Sequence, residues 1–205
     1  MSNLVALGCS YTYGQGLEDC LRPTTTPSNL AWPSVLASLL NLKCKNLAIP
    51  GASNKLIWYK AIQEKFNKDD IVVFLWTHLN RSSIIRENRT VLNIGPWSKG
   101  NIEKTYYKFY HNEYQSNLDL NMRMSQIAFY LDKQGIRNYH TLAVDKEVEI
   151  MDFNQAKILK TSFHTIRGKH GLSLDSGHPD SKAQNEFATS LHNEIKEIHN
   201  EAAIQ

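Results

Sequence analysis

A serine hydroxyl is a useful nucleophile only when an oriented imidazole removes its proton, and this chain carries both groups in short, turn-rich blocks at its two ends. Ser10 stands in Leu7-Gly8-Cys9-Ser10-Tyr11-Thr12-Tyr13-Gly14, and Asp175 and His178 stand in Asp175-Ser176-Gly177-His178-Pro179. An aspartate three residues before a histidine can, on one tight turn, accept a hydrogen bond from one ring nitrogen. That bond fixes the tautomer whose other nitrogen serves as base. The three residues together predict acyl transfer: Ser10 attacks an ester carbonyl, His178 takes and returns the proton, and Asp175 holds the ring. This chemistry calls for no cofactor.

The elements that must position these groups read as alternating strands and helices. Leu4 to Leu7 is an apolar strand closed by Gly8, so Ser10 falls at a strand exit, the edge where open α/β sheets collect ligands. Gln15 to Ser28, with Pro23, Pro27 and a threonine run, reads as a loop over that edge, placed as a lid. A helix from Trp32 to Leu40, a strand from Lys45 to Ile49 and a helix from Asn54 to Phe66 follow. Ile71 to Trp76 is the most continuous apolar run, the pattern of a central parallel strand. Helices are expected over Leu118–Lys133 and from Ser181 to about Ala203, with a strand over Asn138–Val144 between them. His164 to Gly177 reads as a loop carrying acid and base. The alternation predicts an α/β fold of three α/β/α layers, with a flavodoxin-like parallel sheet.

With 205 residues, 41% hydrophobic and 21% charged, the chain is long enough for one well-packed domain over 1–205. The pattern is lost at about 81–117, which reads as an irregular insertion above the sheet. Its aromatic residues, from Trp97 to Tyr114, pack that segment against the core or stack on sugar rings. The net charge of +3 comes from 23 basic and 20 acidic residues scattered without a dense basic run, which speaks against nucleic acid as a partner. No apolar stretch approaches the ~20 residues that span a bilayer, and no secretory leader is expected, because polar Met1-Ser2-Asn3 runs straight into a short strand-like run. Three cysteines without paired spacing, Cys9, Cys20 and Cys44, fit a soluble protein of a reducing cytoplasm. Cys9 reads as a small buried filler beside Ser10. The remaining histidines show no metal-ligand spacing, so no metal site is expected.

Four segments together resemble the SGNH hydrolases, also called GDSL esterases and lipases. Gly8 to Gly14 is similar to the nucleophile block, with Cys9 where the family usually has aspartate. Asn46-Leu47-Ala48-Ile49-Pro50-Gly51-Ala52-Ser53-Asn54 is similar to the second block. Val72 to Arg81 occupies the place of the third block, and Asp175 to Pro179 resembles the last. The segments run in the family's order across nearly the whole chain. The resemblance implies the α/β/α fold, with Ser10, Asp175 and His178 as catalytic residues. It also implies an oxyanion hole that includes the Gly51 amide. The third block departs from Gly-x-Asn-Asp: aligned by its strand, His78 takes the asparagine's place, and a two-residue slip brings Asn80 there instead. The expected function is a serine esterase for a small acyl ester, favouring O-acetyl groups on a carbohydrate. The alternative from another class is a catalytically impaired relative that binds a glycan or a partner protein.

Overall fold

In a computed structural model that describes residues 2–22, 26–175 and 177–202, strand β1 (Asn3–Leu7) runs into a single-turn helix α1 (Ser10–Tyr13). Helix α2 (Trp32–Leu39), strand β2 (Lys43–Asn46), helix α3 (Asn54–Gln63) and strand β3 (Ile71–Trp76) follow. Next come strands β4 (Ser82–Ile85) and β5 (Val91–Ile94), then helices α4 (Asn101–Phe109) and α5 (Glu113–Lys133). Strand β6 (Arg137–Leu142), the short helix α6 (Phe163–Arg167) and the long α7 (Ser181–Ala202) complete the order. Pro23, the start of the threonine run, Ser176 and Ala203 lie outside the described residues.

The main sheet has the order β2-β1-β3-β6, with every pairing parallel. All six residues of β3 are buried, as a strand covered on both faces requires. Helices α2 and α7 pack as one pair and α3 and α5 as another, which gives the α/β/α layering expected from the sequence. Between α2 and α7 the core is aromatic: Phe187 stands 5.6 Å from Trp32 and 4.2 Å from Phe163, ring centre to ring centre. Among the described residues no helix is long and apolar enough to cross a membrane.

Several boundaries differ from expectation for local reasons. Strand β2 begins two residues early and stops at Asn46, yet Leu47 and Ile49 still donate backbone bonds to Ala6 and Gly8 and carry the chain along β1. Helix α3 ends at Gln63, not Phe66, because Glu64 turns extended and receives the Lys45 ammonium at 2.8 Å. The described part of Gln15 to Ser28 is no free loop: Leu17 bridges to Cys20, both are buried, and Ser28 donates back to the Tyr13 carbonyl.

The segment expected to be irregular at about 81–117 is instead a β4–β5 hairpin, helix α4 and the first turn of α5. The hairpin escapes an apolar pattern because its alternation is inverted. Ser83 is buried, bonded to the Ser53 and Asn93 side chains, while Ile84 is 43% exposed. Part of the expected loop from His164 to Gly177 is the end of α6.

Candidate active site

Ser10 is the first residue of α1, where the chain leaves β1. The turn is close enough that a side chain at Gly8 would run into the Thr12 hydroxyl, so glycine is required there. Two side-chain amides, buried Gln184 and half-buried Asn46, fix the turn from outside. Gln184 of α7 donates to the Tyr11 carbonyl at 3.2 Å and accepts from the Trp32 backbone at 2.9 Å. Asn46 donates to the Thr12 carbonyl at 2.7 Å and accepts from the Ala48 amide. The nucleophile turn is thus tied to both neighbouring elements and to the far end of the chain. Ser10 itself is only 4% exposed. The first amide of a helix has no partner within it, so the Ser10 N–H takes its acceptor from outside α1. Cys9 is buried in the core beside it.

Asp175 and His178 sit on one turn before α7. His178 donates from Nδ1 to Asp175 Oδ2 at 2.6 Å. The other carboxylate oxygen, Oδ1, accepts from the Ser173 hydroxyl and from the Gly177 and His178 amides at 2.8–3.1 Å. Burial raises the Asp175 carboxyl, but the Gly177 amide, Ser173 and His178 together outweigh it and hold the group below its usual value. His178 is also held below its ordinary value. Burial is the main cause, and the nearby cations of Arg81 and Arg167 add to it against the pull of Asp175. The ring is therefore neutral at neutral pH, with Nε2 available as a base. Tyr11 meets the ring edge-on at 5.7 Å, and its hydroxyl receives Arg167 Nη1 at 2.9 Å.

Ser10, Gly51 and His178 line one pocket of about 490 Å³, together with Tyr11, Gln15, Arg81 and Trp97. The pocket thus brings together the serine and histidine read from opposite ends of the sequence, with Asp175 behind the ring. Gly51 takes φ +73°, a left-handed conformation that glycine adopts without strain. There is room for a side chain at Gly51, since the nearest atom, in Trp97, is 3.6 Å away; the backbone angle, not crowding, selects the glycine.

The two candidates for the third oxyanion donor fall elsewhere. His78 turns its Nδ1 to Glu147 at 3.1 Å, and Asn80 lines a neighbouring pocket with Glu113, Lys146 and Glu147. The carboxylate captures the imidazole, and the tie from Tyr107 to the Asn80 carbonyl at 2.6 Å holds that stretch outward. The residue of this loop that enters the pocket of Ser10 and His178 is Arg81, which the sequence reading placed at the end of the third block and the start of the insertion without a role in the site. Its charge was visible in the sequence; its direction was not. The aromatic segment divides: Trp97 joins the pocket of Ser10 and His178, whereas Tyr106 and Tyr110 line a separate apolar groove with Ile84, Ile94 and Ile102.

No protein-family model and no curated protein matches the chain by sequence. Solved structures do match its fold. The psychrotrophic esterase EstA from Pseudoalteromonas sp. superposes with a TM-score of 0.59 at 12% identity, over 97% of this chain and 98% of that one. The acetyl xylan esterase Est2A from the rumen bacterium Butyrivibrio proteoclasticus superposes with a TM-score of 0.57 at 10% identity, over 97% of this chain and 64% of that one. A protein from Desulfitobacterium hafniense assigned to the lipolytic G-D-S-L family gives 0.53 at 12% identity, over 93% and 98%. The chain has the α/β/α fold of the SGNH, or GDSL, hydrolases.

Proposed function

We propose that the chain is a serine esterase of the SGNH type. The observation that carries this reading is the single pocket shared by Ser10, His178 and Gly51, with Asp175 bonded to the base from behind. Ser10 Oγ attacks the ester carbonyl carbon and gives its proton to His178 Nε2. The tetrahedral oxyanion faces the Ser10 and Gly51 amides. On collapse the C–O bond to the alcohol breaks, and the same proton passes from Nε2 to the leaving oxygen. Water then repeats the sequence on the acyl-enzyme and releases the acid. A site with two donors in place of three turns over about a hundred- to a thousandfold more slowly than a complete one, so the activity is modest.

The substrate we infer is a small acyl ester, with O-acetyl groups on a carbohydrate favoured. The pocket is compact, and Trp97 at its wall is half exposed, as a ring-stacking surface must be. An acetyl xylan esterase is among the proteins of like fold. Hydrolysis of p-nitrophenyl acetate and longer homologues by wild type and Ser10→Ala tests the reading. Activity that falls with chain length and vanishes in the variant supports it. Equal turnover by the two proteins overturns it.

One observation favours a second reading, a non-catalytic module that binds a glycan or a partner protein: neither His78 nor Asn80 lines the pocket of Ser10. A covalent serine probe separates the two. Labelling at Ser10 supports the esterase, and unlabelled, well-folded protein supports the module.

A further inference from the structure

The pocket of Ser10 and His178 holds a cation, Arg81, for which the described residues supply no ion pair. Arg81 lines it beside Ser10, Gly51 and His178, and no aspartate or glutamate shares that lining. Asp175, bonded to the ring of His178, is also bonded to Ser173 and two amides. Glu147, which meets the same loop, is taken by His78. Arg81 Nε and Nη1 are both shielded from water, and neither finds an acceptor among the described residues. A shielded charged donor left without a partner is costly, and it calls for an acceptor from a ligand, an ion or water. Trp97 lies against the guanidinium, 4.9 Å from ring centre to Arg81 Cζ, and fixes its plane. That indole is 52% exposed, so it can yield to an incoming group. A second cation, Arg167, acts on the same His178 ring and is bonded to the Tyr11 hydroxyl.

We propose that Arg81 determines specificity for a negatively charged ester, its guanidinium donating to a carboxylate or phosphate that the substrate carries near the scissile group. The inference deepens the esterase reading of the same pocket and rests on it. A planar guanidinium suits both anions, because it offers several N–H donors in fixed directions and stays charged at any pH the protein meets. The site then distinguishes an acetylated acidic sugar from an acetylated neutral one through binding, before the acyl chemistry begins.

Three matched substrates test this: methyl glucoside, methyl glucuronoside and methyl glucoside 6-phosphate, each with one acetyl group at the same hydroxyl. Wild type is expected to favour a charged substrate over the neutral one by about ten- to a hundredfold in kcat/KM, the worth of a charge-assisted hydrogen bond, expressed in KM. Whichever charged substrate is preferred identifies the anion. Arg81→Gln should bring the charged-to-neutral ratio to about one, and Arg81→Lys, which keeps the charge but not the fork, should retain part of it. A wild-type ratio near one overturns the proposal. So does a ratio unchanged in Arg81→Gln because both substrates lose equally, which would put the guanidinium on the oxyanion. Calorimetry on Ser10→Ala protein separates this inference from the esterase reading, since binding needs no turnover. Tighter binding of methyl glucuronoside or methyl glucoside 6-phosphate than of methyl glucoside, lost on adding Arg81→Gln, supports the inference even if nothing is hydrolysed. Equal affinity for all three overturns it.

Discussion

His178 Nδ1 and Asp175 Oδ2, three positions apart in the chain, lie 2.6 Å from each other, and the amides of Gly177 and His178 occupy the carboxylate's other oxygen. The carboxylate is thereby aimed as well as charged. Asp175→Asn keeps the size of the side chain but offers an amide that can present its N–H to the ring and stabilise the wrong tautomer. Turnover should fall by about 10⁴-fold, as the corresponding change does in a serine protease, while the thermal midpoint moves little because the turn is on the surface. Retained kcat would remove Asp175 from the mechanism.

The pH profile follows from the ring's surroundings. His178 is faced by the Asp175 carboxylate, by the cations of Arg81 and Arg167, and by Tyr11, whose phenol burial holds above its usual range. Burial and the two cations together leave the ring below its ordinary value of 6.5. Because the neutral ring is the base, kcat/KM should be lost as pH falls through a midpoint below 6.5. Arg167→Gln removes one positive neighbour and should move that midpoint upward. A wild-type midpoint above 6.5 would contradict the electrostatics described for the site.

The second and third blocks are joined by one side chain. Asn54, at the start of α3, accepts from the Thr77 amide at 2.7 Å and donates to the Thr77 carbonyl at 3.0 Å. This two-point clasp stitches the Gly51 turn to the exit of β3. Asn54→Ala leaves two buried backbone groups without partners, at a cost of roughly 1–3 kcal/mol for each. The expected result is a clear drop in the denaturant midpoint, together with lower turnover as the Gly51 amide loses its support. An unchanged midpoint would show that the clasp contributes nothing.

What the sequence made legible follows from which signals are local. Strand β3 is six apolar residues in a row, and its bounds were read to the residue. Helix α5 was begun too late, at Leu118, because its first turn is polar. The missed signal was Asn112 with Gln115 three positions on, a capping pair in which the Asn112 side chain accepts from the Gln115 amide at 2.9 Å. The β4–β5 hairpin stayed hidden because Ser83 points inward to Ser53, a contact between residues thirty positions apart. The same distinction holds in the site. Ser10 and the Asp175–His178 pair lie in short self-contained turns and could be found. The direction of His78, Asn80 and Arg81 depends on Glu147, Tyr107 and Trp97, which no local pattern connects to them.

His140 carries a prediction about stability that its sequence setting did not suggest. It is fully buried, stacked against Phe74 at 4.8 Å, and accepts from the Trp76 indole at 3.0 Å through Nδ1. Nε2 stands 3.1 Å from Asn138 Oδ1 and donates to it, so the neutral ring has both nitrogens satisfied. Burial, aided by Lys157, pushes its pKa down to about 3 from 6.5. In the unfolded chain the ring protonates near 6.5, so between those two values the unfolded state binds the extra proton. Stability is therefore lost as pH falls through that window, with a slope of up to about 1.4 kcal/mol per pH unit from this one group. His140→Phe keeps the ring stack and removes the proton. The variant should be less stable at pH 7, where the Trp76 N–H loses its acceptor, but its stability should decline less steeply from pH 6.5 to pH 4. Urea unfolding across that range measures both effects, and parallel slopes for the two proteins would show that His140 is not the group that titrates.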